Sequence, residues 1–243
     1  MKWVIGGLVL VAVGAVLRHI LRLGARPARQ MRGLVQLSPD REAVYRPMAQ
    51  EVEAQAAILG VSLNDAFEER DAGRHQIAWR LVRLSVGEWE RLAEIVAALL
   101  KVMAKHMADA RELVPVHGIA SHRFKSQAMI DYVRMHELLD QLVFRSKLHF
   151  QLHVRVLRRA VQTLSGEFHR AYRYADRTED RPEELWSRLD LYFHDFDLVA
   201  KETLLAFRAF LICLPPAALS NLAPDLKSVV QRRVRSAPIS ANR

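Results

Sequence analysis

The feature that most constrains the fold is a row of apolar side chains between residues 89 and 110. A short polar sequence, Ser85-Val86-Gly87-Glu88, precedes the row and fits the capping box that starts many helices. The apolar residues then recur every three or four positions, which is the period of one face of an α-helix. Such a helix has to bury that face against other elements. The row consists of Trp89, Leu92, Ala93, Val96, Leu99, Leu100, Met103, Met107 and Ala110.

A second row of the same kind follows Asp180-Arg181-Pro182-Glu183, where proline is typical of a first helical turn. The rest of the chain has no Asn-Gly or Asp-Gly dipeptide of the kind that joins two strands in a hairpin. We therefore predict an all-α fold, an up-and-down-like bundle of about four to six helices preceded by an N-terminal membrane-anchor helix. The second row consists of Leu185, Leu189, Tyr192, Phe196, Val199, Phe207 and Phe210.

Proline and glycine mark the expected helix ends. Ser38-Pro39 predicts the start of the first bundle helix, Pro47 predicts a division within it, and Gly60 and Gly73 predict ends. Ser165-Gly166 predicts a further break.

Four segments follow from these signals. Residues 1–24 form the predicted transmembrane anchor, 25–37 a basic juxtamembrane linker, 38–214 the helical bundle, and 215–243 a basic C-terminal helix or tail. Within the last segment, Pro224 predicts a helix start.

The anchor is predicted from Trp3–Leu17, fifteen residues without a charged side chain. Fifteen helical residues rise about 22 Å, short of the ~30 Å hydrocarbon core. Arg18 can extend its guanidinium to the headgroups, and Ile20 and Leu21 continue the apolar character. A cleaved signal peptide and a buried N-terminal helix are the alternatives. Because the basic flank follows the segment, we expect the N-terminus outside and the bundle in the cytoplasm, at the inner membrane.

The formal net charge of +9 comes from the two ends of the chain. Residues 47–224 hold 23 Lys and Arg against 24 Asp and Glu, so the body is close to neutral. Nucleic-acid-binding domains normally carry basic charge on the folded body, so binding to nucleic acid is a less favoured alternative. Basic ends around a neutral body fit a membrane surface with anionic lipid. The predicted contacts to that surface are Arg18, Arg22, Arg26, Arg29, Arg32, Arg232, Arg233 and Arg235.

The stretch LHFQLHVRV, residues 148–156, alternates apolar and polar residues, which is typical of a strand. A lone strand in a helical chain would lack a partner, so we interpret the stretch as a helix. In that helix His149 and His153 stand four residues apart and face the core. We expect each imidazole to form ordinary hydrogen bonds. The alternative is a pair of metal or haem ligands, which would need further ligands from other helices.

Other chemical motifs are weak. Asp190, His194 and Asp197 are expected on a solvated helix face, with Lys201 placed to pair with Asp197. His136–Asp140 departs from the HExxH zinc motif at its last position and lacks a third ligand downstream. The sequence contains no phosphate loop and no Gly-x-Ser-x-Gly. The lone Cys213 offers neither a disulfide nor a cysteine zinc site.

Two further pairs, Arg111 with His117 and Arg188 with His194, resemble the loose Arg-x4–6-His pattern of the helical HEPN ribonucleases. That resemblance implies an RNA-cleaving protein as one alternative, but we assign no family on it.

These observations predict an interaction or scaffolding protein at the membrane surface, with other proteins bound through helix faces and self-association as an option. No catalytic residue and no cofactor is assigned. The main alternative is a helical metal-binding or cofactor-binding protein, or an enzyme, that uses His149 and His153. The further alternative is nucleic-acid binding or a HEPN-like activity.

Overall fold

The computed structural model describes residues 37–111, 147–177 and 183–236, without the side chains of residues 147–149 and 230–236. This part of the chain contains no strand, which confirms the all-α prediction for the described residues. Its elements are α1 (Pro39–Asp71), α2 (His75–Lys105), a short 3-10 helix (His106–Asp109), α3 (Lys147–Arg177), α4 (Glu183–Cys213) and α5 (Pro216–Ser236).

Helix α1 is longer than the sequence predicts. It starts after Ser38 as expected, but it continues through Pro47 and Gly60, so the predicted division and end are wrong. A proline inside a helix costs roughly 3 kcal/mol, and here the row of buried side chains that follows Pro47, together with the half-buried Val44 and Tyr45 before it, outweighs that cost. Gly60 serves packing, because a Cβ at this position would lie 3.4 Å from the ring of Phe193 in α4. The buried row is Met48, Val52, Gln55, Leu59, Leu63 and Ala66.

Three other boundaries differ from the prediction. Helix α2 begins at His75, well before the capping box at Ser85, and the Ser85 hydroxyl donates to the Val82 carbonyl inside the helix at 2.8 Å. Helix α3 continues through Ser165-Gly166. Helix α5 begins at Pro216, with Pro224 inside it. In each case packing along a whole helix overrides a local stop or start signal.

The predicted turn at Gly73 and the predicted start of α4 are confirmed. Gly73 has a φ of +77°, a conformation that glycine adopts without strain, and it separates α1 from α2. Helix α4 begins at Glu183, directly after Pro182, and ends at Cys213, before Pro215-Pro216.

Helices α1 to α4 form a closed ring in which each neighbour runs antiparallel to the next. Residues early in one helix therefore contact residues late in its neighbour, as in a four-helix bundle. The ring contacts that show this are Trp79 with Tyr172, Trp89 with Phe168, Phe150 with Phe210, Tyr45 with Phe207, and Phe67 with Trp186.

Aromatic rings fill the centre of the bundle. Trp89 stacks on Phe168 with ring centroids 4.1 Å apart and lies 4.7 Å from the Phe196 ring. All three side chains are fully buried, and they join α2, α3 and α4. Aromatic pairs of this kind add roughly 0.5–1.5 kcal/mol beyond the burial of their surface.

The end of the bundle where α1 begins is closed by polar contacts and by α5. Arg41 of α1 donates from Nε to the Leu211 carbonyl at 2.8 Å and from Nη2 to the Leu214 carbonyl at 2.9 Å. These carbonyls belong to the last turn of α4 and the residue after it, where helix carbonyls have no intrahelical partner. Helix α5 packs on α1 and α2 at this end, with Leu222 and Leu226 buried.

None of the helices within the described ranges is long and apolar enough to cross a membrane. The predicted anchor at 1–24 and residues 25–36 of the predicted linker at 25–37 lie outside those ranges, as do the predicted lipid contacts from Arg18 to Arg32. The side chains of the other predicted contacts, Arg232, Arg233 and Arg235, also lie outside the described part of the chain.

Candidate functional site

The structure confirms the helical interpretation of residues 148–156, which belong to α3. His153 is buried, as predicted, and its ring centroid lies 6.3 Å from that of Phe150. The side chain of His149 lies outside the described part of the chain. The inward orientation is therefore confirmed for His153 and remains a prediction for His149.

Metal ligation by these histidines also remains a prediction. Among the residues that the structure describes, no group of three or more His, Cys, Asp and Glu side chains is arranged to hold a metal ion. The altered HExxH stretch at 136–140 lies outside that set.

Two buried carboxylates on α4 were missed by the sequence analysis. Asp195 and Glu202 are fully buried and stand seven residues apart, so they lie on the same side of the helix. Burial raises the pKa of Glu202 to about 7. The sequence gives no signal for their burial, because spacing along α4 does not set these two carboxylates apart from the exposed Asp190.

A groove of about 350 Å³ opens between α3 and α4 near Asp195. Burial raises the pKa of Glu167 in this groove, with a further increase from the charge of Asp195 and an opposing effect of Arg170. Burial also raises the pKa of Tyr192. The groove thus carries charged groups of both signs, and the charge of the buried Asp195 acts on one of them, Glu167. Its polar lining consists of Glu167, Arg170, Tyr174, Glu184, Arg188 and Tyr192.

The predicted charged row on α4 is confirmed in its main contact. Lys201 Nζ donates to Asp197 Oδ2 at 2.5 Å, one helical turn away, at the surface. Asp190 is exposed and His194 is half-buried. Arg188 pairs with Glu184, and its six-residue separation from His194 turns the two side chains about 120° apart on the helix.

A cluster of charged groups joins α2 to α5. Lys105 Nζ lies 2.7 Å from Asp225 Oδ2, and the buried His106 places Nε2 2.7 Å from the same oxygen. The hydrogen bonds from Lys105 and His106 lower the pKa of Asp225. This cluster fixes α5 to the end of the bundle.

The most unusual surface lies along α1 and α2 on the side away from α3 and α4. We call it the α1–α2 face and define it by Ala54, Ile58 and Val61 of α1 with Ile77, Leu84 and Gly87 of α2. Its four large side chains are exposed to 44% (Ile58), 61% (Val61), 47% (Ile77) and 67% (Leu84). Residues 54–64 contain no charged side chain, so the exposed side of α1 is uncharged over about three turns.

The two halves of this face lie at matching heights. Gln55 Nε2 donates to Glu88 Oε2 at 2.5 Å, which fixes the register of α1 against the antiparallel α2. Counting from that pair, Ile58 stands at nearly the same height as Leu84, and Ala54 stands near Gly87. The exposed apolar side chains therefore follow one strip of the surface, with Ile58 level with Leu84, Val61 about one turn beyond Ile58, and Ile77 about two turns beyond Leu84.

Comparison with known proteins identifies no relative: no family model, no curated protein and no solved structure matches this chain.

Proposed function

We propose that this protein is a membrane-anchored interaction protein, in which a helical bundle held at the membrane surface binds another protein through the α1–α2 face. The exposed apolar cluster of Ile58, Val61, Ile77 and Leu84 is the observation that carries the proposal.

The cluster differs from ordinary surface leucines. Single exposed apolar residues are common on soluble proteins, whereas adjoining ones on two helices are typical of interaction sites. Covering them with a partner gains about 25 cal/mol for each Å² of apolar surface removed from water. Polar side chains border the cluster, with Asp65 at the end of α1 that lies nearer Gly73 and with Arg80 and Arg91 on α2. This pattern of an apolar centre and a charged rim favours a protein partner.

The position of the face supports attachment to a membrane through residues 1–24. Helix α1 begins at the end of the bundle that also holds the end of α4 and the start of α5. A segment that precedes α1 would hold this end toward the bilayer, and the α1–α2 face would then run alongside the bundle, open to other proteins. Of the basic residues proposed to contact anionic lipid, Arg18 to Arg32 directly precede this end in the sequence, and Arg232 to Arg235 belong to the last turns of α5.

Fractionation tests the anchor. We expect the full-length chain to remain in the membrane pellet after an alkaline carbonate wash, and a chain lacking residues 1–24 to leave it. A full-length, uncleaved chain found in the soluble fraction would overturn the anchored location at the inner membrane.

Site-specific photo-crosslinking tests the face. A photoreactive residue at Ile58 is expected to give a protein adduct in membranes, and the same residue at Leu205 of α4 is the matched control. Both positions are 44% exposed, so accessibility alone predicts equal labelling. Equal yields of protein adducts at Ile58 and Leu205 would contradict a binding role for the α1–α2 face.

Metal or cofactor binding by His149 and His153 is the second candidate, and the burial of His153 supports it. Metal analysis of the purified full-length chain and of the His153→Ala variant tests this candidate. A stoichiometric metal that is lost in the variant would favour it over the interaction role alone.

A further inference from the structure

We propose that the partner of the α1–α2 face is a second copy of this chain, bound with the two bundles side by side and their α1 helices parallel. This inference rests on the proposed function, which takes the same face as a binding surface. It adds the identity of the partner and the geometry of the complex.

The residues of the face follow the spacing of a helix-packing seam. The exposed positions of the face are 54, 58, 61 and 65 on α1 and 77, 80, 84 and 87 on α2, and the half-buried positions 51 and 91 continue the two series. Both series alternate steps of three and four residues, which is the spacing with which antiparallel or parallel helices interlock at a small angle. Helices α1 and α2 of one copy can therefore pack on α1 and α2 of a second copy with the same kind of side-chain spacing that joins helices within the bundle.

Charge complementarity selects a parallel arrangement. A two-fold axis parallel to the helices places α1 of one copy over α2 of the other at the same height. Asp65 of α1 and Arg80 of α2 are both exposed and differ in height by about 3 Å, counted from the contact between Gln55 and Glu88. The rotation therefore brings Asp65 close to Arg80 of the second copy, twice in each dimer.

The antiparallel alternative is disfavoured by the same residues. A two-fold axis across the helices at the height of Ile58 would lay α1 on α1 of the second copy. Asp65 would then face Glu51, and like charges across an interface oppose association.

Small residues in the face fit the parallel arrangement as well. Ala54 and Gly87 stand at similar heights, so the parallel axis brings Ala54 of one copy over Gly87 of the other. A Cβ built on Gly87 meets no atom within 4 Å, which shows that this position is open in the single copy. Two helices can approach closely at such a point, while Ile58 packs against Leu84 of the second copy on the neighbouring turn.

The parallel arrangement also satisfies attachment to one membrane. Both copies then present the start of α1 on the same side, which two chains anchored through residues 1–24 require. The apolar cluster is small beside the roughly 800 Å² per partner of a standard interface, so anchoring supports the dimer by raising the effective concentration of the second copy.

Disulfide trapping in membranes tests the proposal. Two full-length chains with different tags, both carrying Cys213→Ser, are expressed together in a heterologous host. One carries Ile58→Cys and the other Leu84→Cys. We expect a disulfide between the two tags on mild oxidation, and a yield at least several-fold lower when Leu205→Cys replaces Leu84→Cys. A yield no higher than in this control, or a disulfide formed mainly between two Ile58→Cys chains, would overturn the parallel dimer.

Charge reversal supplies an independent measurement. Asp65→Arg alone places two arginines together, and Arg80→Asp alone places two acids together, so each is expected to lower the trapped fraction several-fold. The double variant restores opposite charges and is expected to recover it. Asp190→Arg on α4 is the control for a change of charge elsewhere. Failure of the double variant to recover would contradict the contact between Asp65 and Arg80.

Photo-crosslinking at Leu84 separates this inference from the proposed function. An adduct with twice the mass of the chain supports the second copy. An adduct of another mass keeps the binding role of the face and overturns the identity of the partner. No adduct above the Leu205 control overturns both.

Discussion

The α1–α2 face and the α3–α4 side of the bundle depart from the usual distribution of polar and apolar residues in opposite directions. On α1 and α2, the large apolar side chains of Ile58 and Leu84 are exposed. On α4, the carboxylates of Asp195 and Glu202 are buried, and a groove lined by charged residues opens between this helix and α3. Exposed apolar surface is removed from water by a partner outside the chain, whereas the raised pKa of the buried Glu202 makes the stability of the chain itself depend on pH.

The two regions therefore serve different properties of the protein, binding on the α1–α2 face and stability on the α3–α4 side. The α1–α2 face contributes little to the stability of a single bundle, because its large side chains are exposed. Its proposed role is to bind a partner. Glu202 inside the α3–α4 side lowers the stability of the bundle as the pH rises above its normal pKa, because burial raises its pKa in the folded chain. Substitutions in the two regions should therefore affect different measurements.

The largest expected effect is that of Glu202→Gln. Since the pKa of Glu202 rises from 4.5 in the unfolded chain to about 7 in the folded one, the unfolded chain releases this proton first as the pH increases. The free energy of unfolding therefore falls between about pH 4.5 and 7, by about 3 kcal/mol in total, and stays lower above pH 7. Glutamine cannot ionise, so the variant should lack this decrease and exceed the wild type in stability at pH 8. Urea denaturation at pH 5 and pH 8 measures it.

Glu184→Gln is the matched control for this prediction, because Glu184 lies on the same helix and is exposed. Its stability is expected to follow that of the wild type at both pH values. If Glu202→Gln also follows the wild type, the burial of Glu202 does not act on stability as argued.

An intermediate effect is expected at two glycines in helix interiors. Gly87 on the α1–α2 face and Gly166 in α3 both have open space where a Cβ would stand. Glycine in a helix is less favourable than alanine by roughly 1 kcal/mol, so Gly87→Ala and Gly166→Ala should each stabilise the bundle by about 0.5–1 kcal/mol in thermal or urea unfolding.

The leucine variants at the same two positions test whether Gly87 lies in the dimer interface. Gly87→Leu is expected to reduce the trapped dimer several-fold, because the side chain blocks close approach of the second copy, and Gly166→Leu is expected to leave it unchanged. An equal response of the dimer at both positions would show that Gly87 has no special place in the interface.

The smallest expected effect concerns the charged outer row of α4. Lys201 and Asp197 form an exposed pair one turn apart, and such pairs contribute roughly 0.3–0.5 kcal/mol. A double-mutant cycle with Lys201→Ala and Asp197→Ala measures the coupling energy, which should decrease further in 1 M salt because exposed charges are screened. A coupling above 1 kcal/mol would place this pair in a less solvated environment than the surface position described here.

Several features of the fold could be predicted because they depend on local periodicity. The apolar rows starting at Trp89 and Leu185 identified α2 and α4, and the absence of a strand partner identified residues 148–156 as helix. The inward position of His153 and the contact between Lys201 and Asp197 followed from helix geometry alone.

Other features could not be predicted because they depend on neighbouring helices. Pro47 and Gly60 carry local signals for a helix end, and only the packing of α1 on α2 and α4 decides that the helix continues. Asp195 and Glu202 stand at the flank of the apolar row of α4, and the same helix exposes Asp190, so spacing along α4 does not distinguish them.

By itself the sequence determined the helical class, the main helix rows and the concentration of basic charge at the two ends. These properties depend on residues that are close together in the sequence, so periodicity and local composition indicate them directly. The tertiary structure decided which carboxylates are buried, where α1 and α5 extend, and that Ile58 and Leu84 meet on one exposed face. The physical reason is that a side chain is buried only when a second helix packs against it, and the sequence of one helix does not specify where its neighbour packs.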